Sequence, residues 1–173
     1  MAHNRNDDKN PKLQVPIEPG IDVHRAIVGI LNNTLANEAL LSLKTRNAHW
    51  NVSGAGFLEL HALYNTQYKQ LNTISNEIAE RARMLGGLPI GSFEGFLKHA
   101  RLEEHPGIIP NMLSLFADHE AAIRFLGEDA KKCLEEYQDK VTRDFLVNIQ
   151  SLHEKMASVL RAHIEPQLTG DER

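Results

Sequence analysis

A chain of 173 residues is long enough for one well-buried core, and its lone cysteine, Cys133, excludes an internal disulfide framework and more simply packs in a helix than reacts. A formal charge of −4 excludes a generally basic, polyanion-binding surface. No apolar run reaches the ~18 residues of a membrane helix, and the polar start Met1 to Lys9 does not read as a signal peptide, so a cytoplasmic protein is expected.

Residues 1–20 read as a flexible tail, and residues 21–166 as one helical domain with no internal repeat or low-complexity segment. Val23, Ile27, Ile30, Leu31, Leu35 and Leu41 recur at helical spacing and predict a first helix running through His49 and Trp50. Gly54-Ala55-Gly56 breaks it. The segment from Phe57 to Leu85 has no proline and predicts a second helix, with Leu60, Leu63, Tyr64, Leu71, Ile74, Ile78, Ala82 and Leu85 as its apolar face. A crossover of some twenty residues then spans the bundle's length. Pro110 at a first-turn position opens a third long helix with Met112, Leu115, Phe116, His119, Ile123, Leu126, Ala130 and Tyr137. Val141, Phe145, Ile149, Leu152, Met156, Val159 and Leu160 make the fourth, which Pro166 ends, leaving 167–173 as a short tail.

The second helix carries a polar stripe beside its apolar one. At ~100° per residue, His61, Asn65, Asn76 and Glu80 fall within about 100° of one another. His61 and Glu80 lie roughly 28 Å apart along the axis at ~1.5 Å per residue, too far to share a metal within one chain. If two copies of this helix cross antiparallel about a two-fold axis near residue 70, His61 faces Glu80 of the other copy and Asn65 faces its Asn76. The glycine break folds the first two helices into a hairpin that sets His49 level with His61. Two imidazoles and a carboxylate suit a divalent first-row metal such as iron, zinc or manganese. The alternative is that the histidines are packing residues at a dimer seam and Glu80 pairs with Arg81 or Arg83.

The segment His49-Trp50-Asn51, Gly54, Phe57, His61 and Ala79-Glu80-Arg81 resembles the signature of the Dps family, the DNA-binding mini-ferritins of starved cells. Gly86-Gly87 with Gly91 to Leu97 resembles that family's short crossover helix, and Leu160 to Ile164 the end of its last helix, so the resemblance covers residues 21 to 165. It implies a ferritin-like four-helix bundle, all-α, assembling as a hollow homo-dodecamer with a site at each two-fold interface that oxidises Fe(II), preferentially with hydrogen peroxide, and stores ferric iron. Residue by residue, it makes His49 and His61 the histidine ligands and Glu80 the carboxylate from the neighbouring subunit. Two positions depart from the pattern: Asn65 and Asn76 stand where the family usually has aspartates, which removes two negative charges and implies an attenuated site without a firmly held second iron. Facing each other across a dimer, the two amides could equally hydrogen-bond over an empty site.

The same resemblance suggests Trp50 as an electron donor near the iron, beside its plain role of burying a large ring at the hairpin. Asp139 and Asp144 fall where the family lines its three-fold pores; they also suit an ordinary acidic turn and first helical turn. The family binds DNA through lysine-rich tails. Here Arg5, Lys9, Lys12 and the amino terminus oppose Asp7 and Asp8 for a balance of +2, while a dodecamer would carry 12 × (−4) = −48. A larger ferritin is disfavoured, because neither His153-Glu154 nor Asp118-His119-Glu120 supplies a Glu-x-x-His. Two functions remain open: an iron-oxidising, iron-storing shell that limits oxidative damage, and a non-catalytic shell or nucleoid protein whose two-fold site is structural.

Overall fold

The computed structural model describes residues 20–168, with side chains to residue 165. Among these residues there are five helices and no strand: α1 (Ile21–Asn51), α2 (Phe57–Met84), α3 (Phe93–His99), α4 (Met112–Glu135) and α5 (Lys140–Leu168). α1 packs along α2 and α4 along α5, two antiparallel hairpins whose apolar faces close on one core. Ile27, Leu31 and Leu41 of α1, Leu71 and Ile78 of α2, Leu115 of α4, and Leu146, Ile149 and Leu160 of α5 are fully buried there. α1 alone is long and apolar enough to meet a membrane-span criterion, contrary to the sequence expectation, but two-thirds of that stretch (67%) lies inside the bundle. It is the core helix.

The helix ends follow local chemistry. Gly56 stands in the left-handed region (φ 74°), which a glycine adopts without a Cβ penalty, and serves as N-cap of α2. α2 stops in a Schellman turn: the Gly86 N–H donates to the Arg83 carbonyl and the Gly87 N–H to that of Ala82, with Gly86 at φ 76°. Gly87 also lets the chain pass close to α1, since a Cβ there would lie 2.4 Å from Val28 Cγ2.

Two predicted boundaries shift. Pro110 lies outside α4, because Asn111 is the N-cap, its Oδ1 accepting from the Ser114 N–H at 2.8 Å, and proline cannot supply that side-chain oxygen. Pro166 does not end α5, whose backbone stays helical to Leu168; proline's own φ suits a helix and disturbs only the turn before it.

Polar residues on α1 hold the crossover. Asn32 donates from Nδ2 to the Leu88 carbonyl and accepts at Oδ1 from the Ile90 N–H. Asn37 Oδ1 accepts from the backbone N–H groups of Arg101 and Leu102, at 2.7 and 3.1 Å. Lys44 pairs with Asp118 of α4 at 2.6 Å and donates to the Glu103 carbonyl. Arg101 forks onto both carboxylate oxygens of Asp129 on α4. These contacts satisfy backbone groups of a segment that has little regular structure of its own.

Candidate metal centre

His49 sits in the last turn of α1 and His61 one turn into α2, and the hairpin stacks them. Their ring centroids are 3.9 Å apart with the planes inclined by 31°. The Nδ1–H of His49 donates to the His61 carbonyl at 2.9 Å, and the Nδ1–H of His61 donates to the His49 carbonyl at 3.2 Å. A carbonyl only accepts, so each neutral imidazole must carry its proton on Nδ1. Both Nε2 atoms are thereby left with lone pairs, the arrangement a metal-binding histidine uses. Phe57 and Tyr68 flank the pair, with ring centroids 5.1 Å from His61 and 5.5 Å from His49.

The other residues of the stripe lie further along α2. Asn65 is half-buried on the turn after His61, and Asn76 and Glu80 are exposed near the opposite end. Asn76 Nδ2 donates to Glu80 Oε1 at 2.8 Å. Glu80 bonds to neither Arg81 nor Arg83, contrary to the alternative drawn from sequence. Arg81 reaches across to the Thr142 hydroxyl and Asp139, and Arg83 donates to the Gly87 carbonyl at 2.8 Å. Among the described residues of one chain, no three His, Cys, Asp or Glu side chains come together as a metal-holding group. The structure brings together His49 and His61 and leaves Glu80 at the far end of the helix.

Trp50 departs from its expected packing role. It is 63% exposed, with the Arg46 guanidinium 5.2 Å above its ring, because the turn that points His49 at α2 carries the next residue outward. Asp139 is the helix cap of α5: Oδ1 accepts from the Thr142 N–H at 2.9 Å, and Oδ2 from the Thr142 hydroxyl and Arg81. Burial works to raise its pKa, but the Thr142 bonds and the Arg81 charge outweigh it and hold the carboxyl below its ordinary value. Asp144 is exposed beside Arg143, 3.1 Å from its Nε. Cys133 packs in the core of α4 as expected, its thiol pushed up to about 12 by burial and then by Asp139 and Asp129. Arg5, Lys9 and Lys12 lie outside the described residues.

A polar group that sequence reasoning missed lies inside the bundle. Glu38, His119 and His153, on α1, α4 and α5, are at most 1% exposed. His153 Nε2 donates to Glu38 Oε1 at 2.9 Å, and the Nδ1 atoms of His153 and His119 are 2.9 Å apart. Burial, then the neighbouring His153, lowers the His119 pKa to about 3. The signal was present: His119 occupies an apolar register position of its helix, and Glu38 interrupts a long apolar stretch of α1.

Fold and site together define a protein of the ferritin-like class, and the family described as the ferritin-like domain matches residues 28–167. A low temperature-induced protein of Nostoc sp. is 42% identical over 147 residues, covering 83% of this chain and 82% of its own length. A protein of Agrobacterium fabrum called DNA protection during starvation protein is 33% identical and covers 80% of this chain and 88% of its own length. The crystal structure of a Dps protein from Vibrio cholerae O1, described as a member of a broad superfamily of ferritin-like diiron-carboxylate proteins, matches with a TM-score of 0.76 at 29% identity, over 83% of this chain and 91% of that one. Within its class, the chain belongs to the Dps family, the DNA-protection-during-starvation proteins.

Proposed function

We propose that this protein is a cytoplasmic iron-handling shell subunit whose substrate site forms when two copies meet about a two-fold axis, in a homo-dodecamer. Each site takes His49 and His61 from one subunit and Glu80 from the other and presents them to Fe(II). The observation that carries this reading is the reciprocal Nδ1–H bonding of the two histidines, which fixes both rings and frees both Nε2 lone pairs on a face where one chain supplies no third ligand. A seam built only for packing would not need both Nε2 atoms free.

Hydrogen peroxide is the oxidant in this reading. Two Fe(II) ions give up one electron each, the O–O bond breaks, and two protons are taken up to release two waters. His49, His61 and Glu80 bind and orient the first iron. Asn65 and Asn76 leave the second weakly held, because a neutral amide offsets none of its charge. Zinc or manganese would fit the same donors. Relatives carry DNA protection in their names, yet twelve chains at −4 each repel a polyanion, so protection here runs through removal of Fe(II) and peroxide. Unretarded DNA in a low-salt gel shift is the expected result.

A second reading has its own observation: Asn76 hydrogen-bonds Glu80 within α2, which suits a structural two-fold site in a non-catalytic shell. Stopped-flow measurement of Fe(II) oxidation by peroxide separates the two. The wild type should oxidise slowly, Asn65→Asp with Asn76→Asp should raise the rate about tenfold, equivalent to ~1.4 kcal/mol of barrier, and His61→Ala should abolish it. Equal rates in the wild type and both variants would remove the catalytic reading.

A further inference from the structure

The polar group in the bundle core takes no part in the interface chemistry, and its geometry limits how many protons it can hold. His119 and His153 are fully buried, and their Nδ1 atoms lie 2.9 Å apart. That separation is the length of a hydrogen bond, so one proton stands between the rings, and the ring that lacks it must offer a bare lone pair. A second proton in the contact would set two N–H groups head to head. His153 Nε2–H is already spent on Glu38 Oε1 at 2.9 Å. His119 Nε2 is buried with no hydrogen-bond partner, so no acceptor waits for a proton placed there. The closed pair can carry one imidazolium against Glu38, and it cannot carry two.

The neighbouring charges do not relieve this limit. Asp118, the residue before His119, is held by Lys44 of α1 at 2.6 Å, and Glu120, the residue after it, by Arg161 of α5 at 3.2 Å. On α5, Glu154 and Lys155 point to solvent. α2 brings the neutral Gln67, whose Nε2–H goes to the Met156 carbonyl. Glu38 on α1 is thus the ionisable group bonded to the pair, and it balances a single positive charge.

We propose that the His119–His153 contact is an acid-released latch between α4 and α5, closed while the two rings share one proton and opened when each takes its own. Once apart, both imidazoles titrate near pH 6.5, so below that pH the open state holds one proton more than the closed one and gains on it as the pH falls. The folded His119 pKa, lowered to about 3 by burial and then by His153, has the matching sign. The latch is at full strength above about pH 6.5 and weakens from there toward pH 3. It involves none of the interface residues and does not rest on the function proposed above.

Amide hydrogen exchange of the full-length protein, corrected for the intrinsic pH dependence of exchange, reads the opening. One extra proton with a pKa of 6.5 multiplies the open population about 25-fold between pH 7 and pH 5, and peptides of α4 and α5 around His119 and His153 should lose protection by that factor. His119→Asn sets an amide oxygen where Nδ1 stands, which accepts from His153 and takes no proton. Protection in that variant should stay nearly constant over the same range. Equal protection of the wild type at pH 7 and pH 5 would overturn the proposal, as would a loss of the same size in His119→Asn. If the variant fails to fold, the wild type still decides by location: loss confined to α4 and α5 supports the latch, and uniform loss over all the helices overturns it.

Discussion

Each of the two hairpins holds a pair of histidines level across it, and the two pairs have opposite fates. Between α1 and α2, His49 and His61 turn their Nδ1–H groups onto each other's backbone carbonyls and leave Nε2 free. Between α4 and α5, His119 and His153 meet Nδ1 to Nδ1, and His153 spends its Nε2–H on Glu38. One pair sits at a half-buried hairpin end and the other in the dry centre. A histidine's availability is thus set by what its second nitrogen meets, and the two ends of a ring cannot be read from residue type alone.

The strongest way to break this comparison is to remove one histidine from each hairpin. His153→Ala leaves the Glu38 carboxylate buried and unpaired, and urea unfolding should show a loss of about 3–5 kcal/mol. His61→Ala, at the half-buried end, should lose less than ~1 kcal/mol in the same measurement. Equal losses would mean that burial does not separate the two pairs.

The starts of the second helix in each hairpin differ as well. α5 has the Asp139 cap and its Arg81 contact, whereas α2 starts at Gly56 with no side-chain cap. Asp139→Ala should therefore lose about 1–2 kcal/mol at pH 7. Because the folded Asp139 pKa lies below the ordinary value, its contribution is fully present above about pH 4 and fades as pH falls through the folded pKa. The gap between wild type and variant should narrow in acid unfolding curves and stay constant from pH 5 to 7.

Smaller effects come from the turns themselves. Gly56→Ala places a Cβ on a left-handed backbone and should lower stability by about 1 kcal/mol, read by thermal or urea unfolding. The other hairpin puts an exposed glutamine, Gln138 at φ 54°, in the same kind of conformation. Gln138→Gly should raise stability by roughly 0.5–1 kcal/mol, the opposite sign from the same backbone region.

The four long helices were legible because each carries an apolar row at helical period and a clear breaker, Gly54-Ala55-Gly56 being the plainest. The pairing of His49 with His61 could be read from the hairpin's symmetry. What could not be read was anything carried by hydrogen bonds between distant positions. Asn32 and Asn37 look like solvent-facing polar residues in sequence, and they bracket the crossover 56 and 64 positions away. Trp50 misled for a related reason: a large aromatic suggests burial, but its azimuth on α1 points away from the hairpin partner. His119 was placed correctly on the inward face, and its partner His153 and the Glu38 link emerged only once three helices were set side by side.

Cys133 gains a meaning under the proposed function. A protein that meets peroxide exposes its own sulfur to attack, and the reactive form of cysteine is the thiolate. With no surface exposure and a pKa of about 12, the chain's single thiol stays protonated and walled off. The one cysteine should therefore survive a peroxide challenge unmodified, which mass spectrometry of the treated protein would read.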